Sequence, residues 1–403
     1  MSKRPDGVVR GPLAPHAAGF RAELARLGYS KSAARKHLQL MARLSEWAET
    51  HDLGVCEATA AQAEQFFSER RKEGRANLLT TRSLGPLLEY LRRGGVIPEP
   101  QPPVIAGPVE VFLETYRAYL ARERGLVDGT TRFYVHVARL LVSEHAGADG
   151  LRLGELTARE VVAFAARACR HRGLSSTRQV VSALRSLLRF LRLEGVTAFA
   201  LDQAVLSVAG WTPSLPRAID PGDAARLLRS CDRRTSAGRR DHAILTMLLR
   251  LGLRGGEVVA LELDDIDWQR GEIVVRGKRR REERLPLPAD VGQAVAGYLQ
   301  RGRPPSDSRR VFLRCFAPFS GLGVATGAIR GVLARACERA GVPYASPHRL
   351  RHTAATEMLR AGAPLSEIAQ VLRHRSPTTT SIYASVDHRR LRELARPWPG
   401  GEA

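Results

Sequence analysis

The chain has 403 residues, enough for two or three domains with cores of their own, and its 44% hydrophobic and 26% charged residues exclude a disordered polyelectrolyte. Sixty-three Lys+Arg against 41 Asp+Glu leave a net charge of +22, spread along the chain, which points to a polyanion as partner and to nucleic acid ahead of a membrane surface. No apolar run is long enough to cross a bilayer and the opening "MSKRPDGVVRGPLAPHAAGF" lacks the apolar stretch of a secretory signal, so a cytoplasmic location without membrane partners is expected. Five cysteines, Cys56, Cys169, Cys231, Cys315 and Cys337, stand far apart with no C-x-x-C pair; buried thiols are expected, not a disulfide framework or a zinc site.

Two proline-rich stretches, "EPQPPVIAGP" (99–108) and "WTPSLPRAIDP" (211–221), mark boundaries and predict domains at 1–98, 109–205 and 217–396. The first two are similar to each other. "FRAELARLG" from Phe20 parallels "YRAYLARERG" from Tyr116, and "LLEYLRRGGV" from Leu87 parallels "LLRFLRLEGV" from Leu187, at offsets of 96 to 100 residues. A tandem duplication of a small helical bundle is expected, because the apolar residues recur at helical spacing, as in Val180, Leu184, Leu187, Leu188 and Leu191. Arg185, Arg189 and Arg192 lie on the other face of that helix, either as a solvated surface or as a stripe tracking phosphates; the basic balance favours the stripe.

The third part mixes helix and strand. "DHAILTMLLRLGL" (241–253) predicts an amphipathic helix stopped by glycine, and Arg254 follows at once in "GLRGGEVVALELDDID". "GEIVVRG" (271–277) and "RLPLP" (284–288) predict a β-hairpin whose basic tip carries Lys278. Lys278 is the sole lysine after Lys72 in a chain where only five of the 63 Lys+Arg are lysines. An ammonium with pKa near about 10.4 gives up a proton far more readily than a guanidinium, so Lys278 suits a general acid; a chance survivor of biased composition is the plain alternative.

Further on, "SPHRLRHTAATEML" offers Ser346 as N-cap and Pro347 as first helical residue. His348 and Arg351 then share one face of the first turn, where the helix dipole favours an anion, although by itself the pair also fits a mere capping arrangement. Last comes "LSEIAQVLRHRSPTTTSIYASV", with His374 and Tyr383. By pattern alone this is also a helix-turn-helix, in which the tyrosine only packs. Breaking a phosphodiester by a protein nucleophile needs a hydroxyl, a cationic clamp on the non-bridging oxygens and an acid for the departing oxygen, and these residues offer a candidate for each.

In their order and settings, Arg254, Lys278, His348 with Arg351, His374 and Tyr383 resemble the boxes of the tyrosine recombinase (phage integrase) family, over roughly residues 217–396. One departure stands out: Arg373 occupies a position where the family usually has glycine, so the turn before His374 has to form without it. The resemblance implies a mainly α protein with a small β-sheet or hairpin in a tyrosine recombinase catalytic domain, preceded by two helical SAM-like bundles. It implies that Tyr383 attacks the scissile phosphate to give a 3′-phosphotyrosyl link, that Arg254 and Arg351 hold the phosphate oxygens, and that Lys278 protonates the leaving oxygen. His348 takes a base or hydrogen-bonding role and His374 a phosphate contact; Glu257 is expected to orient an arginine. No cofactor and no metal are implied. The partners implied are double-stranded DNA, further copies of the chain in a tetramer on DNA, and partner recombinases of the same mobile element. Residues 109–205 fit a core-binding clamp, and residues 1–98 an extra DNA-binding copy or a protein-contact module. A non-catalytic helix-turn-helix regulator and a type IB topoisomerase-like nickase are the competing functions.

Overall fold

A computed structural model describes residues 8–54, 60–72, 81–99, 107–147, 150–205, 218–277, 282–323 and 327–373. The first bundle contains α1 (Ala17–Arg26), α2 (Lys31–Thr50), α3 (Ala60–Lys72) and α4 (Thr81–Arg93). Ser30 caps α2 by accepting from the Ala33 amide at 3.3 Å. Phe20, Leu24, Met41, Phe66, Phe67, Leu87 and Leu91 meet in its core.

The second bundle contains α5 (Pro108–Arg122) and α6 (Asp128–Glu144), then the two-residue antiparallel strands β1 (Ala146–Gly147) and β2 (Gly150–Leu151), then α7 (Ala158–Cys169) and α8 (Leu174–Leu193). Thr157 and Glu160 form a reciprocal capping box at the start of α7. Val180, Leu184, Leu187, Leu188 and Leu191 are all buried, as their spacing predicts. Of the three arginines on the other face, Arg185 bonds the carbonyl of Val205 and Arg189 pairs with Asp202 at 2.9 Å, so both fasten the chain that follows α8; Arg192 remains exposed.

The two bundles repeat one another in detail. Both last helices end on a glycine with positive φ, Gly95 and Gly195, and the next valine amide returns to Leu91 and Leu191 respectively, each at 2.9 Å. Both cores contain a Phe–Tyr contact in which the two residue types are exchanged between matching positions: Phe20 with Tyr90 at 5.6 Å between ring centroids, Tyr116 with Phe190 at 5.1 Å.

The third part begins with α9 (Pro221–Arg229), α10 (Ser236–Arg250) and α11 (Gly255–Ala260). A three-stranded antiparallel sheet follows in the order β3 (Ile266–Asp267), β4 (Glu272–Arg276), β5 (Glu282–Pro286). The chain continues through α12 (Ala289–Arg301), α13 (Gly327–Ala340), α14 (Pro347–Arg360) and α15 (Leu365–Val371). Helix α10 is the centre of this core: Ile244, Leu245, Met247 and Leu248 are fully buried. Each contributes about 1.5–3 kcal/mol relative to exposure, more than any local propensity on this helix. Strand β5 starts two residues earlier than its sequence suggests, because Glu282 stands opposite Arg276 in the register and pairs with it at 3.1 Å.

The chain divides into two compact units, one of residues 100–212 and the other of residues 1–99 with 213–403. Within the latter, Arg26 of α1 reaches Asp307 at 3.1 Å and the Phe319 ring lies against Gly28. Cys231 and Cys337 are buried as expected, but Cys169 is half-buried and Cys315 exposed; Cys315 follows the edge of the core, where Phe312 and Leu313 already fill the interior. Cys56 lies outside the described residues. Among the described residues no helix is long and apolar enough to cross a membrane.

Candidate active site

The site is assembled around a sharp turn. Helix α10 ends at Arg250, and Gly252 adopts φ 57°. A Cβ at Gly252 would lie 2.6 Å from Leu372 Cδ2 and 3.4 Å from Ala354 Cβ, so the chain passes through a gap that only glycine fits, between α14 and the end of α15. Arg254, two residues on, is the N-cap of α11. Glu257 accepts from its main-chain N–H at 2.8 Å and from its guanidinium at 2.7 Å. The carboxylate is buried while the Arg254 side chain is 47% exposed, so this guanidinium has a fixed root and an accessible face.

Helix α14 supplies the second group. Ser346 accepts from the Arg349 amide at 3.2 Å and Pro347 opens the helix, which puts His348 and Arg351 in and next to the first turn, as the sequence predicts. Arg351 is 3% exposed. It donates to the carbonyl of Gly252 at 2.6 Å and to that of Leu372, so one guanidinium joins α14 to the arginine turn and to the end of α15. The His348 ring is open to solvent on one side. Burial of its other side, with the Arg351 and Arg254 guanidiniums adding to it, lowers its pKa below the usual imidazole range. Its neighbour His352, with ring centroids 4.3 Å apart, is pushed down to about 4 by burial, by His348 and by Arg351. Both rings are therefore neutral at pH 7, and His348 is able to accept a proton.

The end of α15 closes the assembly. Arg373 has φ 55°, a left-handed conformation, and its side chain is 3% exposed. Its guanidinium donates to Glu257 at 2.7 Å and to the Val371 carbonyl at 2.9 Å, and its Nε lies 3.9 Å from a carboxylate oxygen of Glu283 on β5.

Of the six residues singled out by sequence, the structure brings Arg254, His348 and Arg351 together. Lys278, His374 and Tyr383 lie outside the described residues. The elements that lead to two of them are present: β4 and β5 flank the segment with Lys278, and Arg373 directly precedes His374. Glu257 orients an arginine, as expected. Sequence reasoning passed over His352, although it stands one helical turn from His348, and saw in Arg373 only a missing glycine. Glu283 carried no readable signal, since a glutamate in a basic hairpin looks like any surface charge. The arrangement is a cluster of guanidiniums fixed by carbonyls and one buried carboxylate, with a neutral imidazole beside it: an anion site with a proton acceptor.

Residues 217–390 match the phage integrase family, and residues 113–195 match the family described as phage integrase, N-terminal SAM-like domain. A Sinorhizobium fredii protein named as an integrase/recombinase is 40% identical over 405 residues, covering 99% of this chain and 97% of that protein. The tyrosine recombinase XerC of Oceanobacillus iheyensis is 31% identical over 295 residues, 71% of this chain and 94% of XerC. Among solved structures, the XerH site-specific recombinase in a post-cleavage complex with its palindromic difH substrate aligns over 98% of this chain and 99% of its own, with a TM-score of 0.53 at 17% identity, a likeness of fold.

Proposed function

We propose a division of labour at one phosphodiester for this chain, which belongs to the phage integrase family and is a tyrosine-type site-specific DNA recombinase. The substrate is double-stranded DNA. Tyr383 is the nucleophile: its oxygen attacks the scissile phosphorus, its proton passes to His348, the P–O5′ bond breaks, and Lys278 gives a proton to the departing 5′-oxygen. Arg254 and Arg351 hold the two non-bridging oxygens through the transition state, and His374 adds a hydrogen bond to the phosphate. The product is a 3′-phosphotyrosyl link and a 5′-hydroxyl. Because the link keeps the phosphodiester's energy, the 5′-hydroxyl of a second strand reverses the step without ATP.

The observation that supports this reading most is the Arg351 guanidinium seated on the carbonyl of Gly252, two residues before Arg254, with His348 at its side. Two arginines and a base from segments about a hundred residues apart in sequence meet where a phosphate would be held. Around this centre we assign residues 217–396 to catalysis, 109–205 to clamping the duplex, and 1–98 to further DNA. Exchange between two duplexes calls for four protomers, with partner recombinases of the same element as an added component, and a reaction on chromosomal or element DNA puts the protein in the cytoplasm.

Tyr383→Phe tests the assignment. On a nicked suicide duplex, the variant is expected to form no covalent adduct while retaining DNA affinity. An adduct of undiminished yield would identify a different nucleophile.

A further inference from the structure

Arg373 is an unexpected residue for its place. It follows directly on α15 with φ 55°, a backbone that glycine adopts without strain and a long side chain does not. Arginine is also among the residues least often fully buried, and a desolvated guanidinium persists only when paired. Here it is 3% exposed and paired with Glu257, itself 5% exposed, at 2.7 Å. Glycine would satisfy the backbone and require no buried charge, so the side chain has to be explained by what its charge does.

Glu257 is the key to that. One of its oxygens accepts from the Arg254 guanidinium, and the other accepts both the Arg254 main-chain N–H and the Arg373 guanidinium. With Arg254 alone, carboxylate and guanidinium would cancel, and an incoming phosphate would have to compete with Glu257 for the same cation. With Arg373 added, the trio carries a net positive charge, and the carboxylate is neutralised from its buried side while Arg254 keeps its accessible face. Arg373 also reaches towards Glu283 of β5, 3.9 Å from its Nε, and its Nε makes no hydrogen bond among the described residues. The one side chain thus touches the arginine turn, approaches the strand that follows Lys278, and forms the residue before His374.

We propose that Arg373 is a positioning residue of the recombinase: it takes up the buried side of Glu257, so that Arg254 stays available to the scissile phosphate, and it ties the segment entering His374 to the arginine turn. This rests on the assignment of Arg254 as a phosphate ligand made above. The test uses the full chain, a nicked suicide duplex with an ordinary scissile phosphate, and the same duplex with an uncharged methylphosphonate there. Arg373→Gly, which also relieves the left-handed strain, is expected to slow covalent cleavage of the phosphodiester by about 10- to 100-fold while DNA affinity stays within about threefold. On the methylphosphonate the loss should shrink to about threefold or less, because a bare carboxylate no longer opposes a charged group. Arg373→Lys should recover part of the rate, since it restores charge without the guanidinium fork. Cleavage of the phosphodiester by Arg373→Gly at the parent rate overturns the proposal, and so does an equal loss on both substrates, which would mark a purely structural role. Failure of the Arg254 assignment would show separately, as cleavage of the phosphodiester at the parent rate by Arg254→Ala, whatever Arg373→Gly does.

Discussion

The arginine turn and the first turn of α14 each present a guanidinium, and they hold it in different ways. Arg351 is buried and donates to the main-chain oxygens of Gly252 and Leu372, so it fixes the backbone of two segments remote from its own helix. Arg254 is half-exposed and rests on the Glu257 side chain. A cation seated on carbonyls is a structural pin as well as a charge, whereas a cation seated on a carboxylate with its outer face in solvent can exchange that partner for another anion. The two arginines proposed to hold one phosphate are therefore not equivalent, although both carry the same charge.

The most severe test of that difference replaces each arginine. Arg351→Ala leaves buried carbonyls without a donor and is expected to lower stability by about 3 kcal/mol as well as to abolish adduct formation. Arg254→Ala should slow cleavage by about 10²–10³-fold with little change in the thermal midpoint. Equal losses of melting temperature in the two variants would erase the distinction. A finer test is Glu257→Gln, which keeps the shape but weakens the hold on Arg254 and is expected to slow cleavage about tenfold, with no comparable change in DNA affinity. The smallest effect lies on the α14 side and concerns pH. His352 takes up its proton at about 4 in the folded chain and near about 6.5 when unfolded, so between these values the unfolded state binds more protons. Its contribution to stability is fully present above about pH 6.5 and declines as the pH falls towards 4. Thermal midpoints of the parent protein should drop across that window more steeply than those of His352→Phe; parallel curves would remove His352 from the account.

What was legible in the sequence was local or periodic. Ser346 and Pro347 announce the start of α14 because capping is settled within four residues, and Gly252 announces the end of α10 for the same reason. The buried stripe of α8 follows from helical spacing alone. The hairpin was visible through alternation, but not its register, which depends on Arg276 meeting Glu282 across the ladder. Least legible was the pair of Arg373 and Glu257, 116 positions apart in the chain, since no periodicity connects residues that only tertiary packing brings together. Arg185 and Arg189 show the converse error: a stripe of arginines looks like a phosphate track until one sees that two of its members fasten their own bundle.

The exchanged Phe and Tyr of the two bundles bear on how a chain with near-duplicate segments avoids confusing them. Helix α1 places Gly19 where a Cβ would sit 2.0 Å from the Tyr90 hydroxyl; at the matching position before Tyr116 the second copy has Thr115. Were α5 to pair with α4 during folding, threonine would collide with that hydroxyl and a second phenol would be forced in beside it; were α1 to pair with α8, two phenylalanines would meet with no oxygen to fill the space. The first mispairing meets a clash and the second leaves a void, so the exchange of one hydroxyl between the two positions disfavours both.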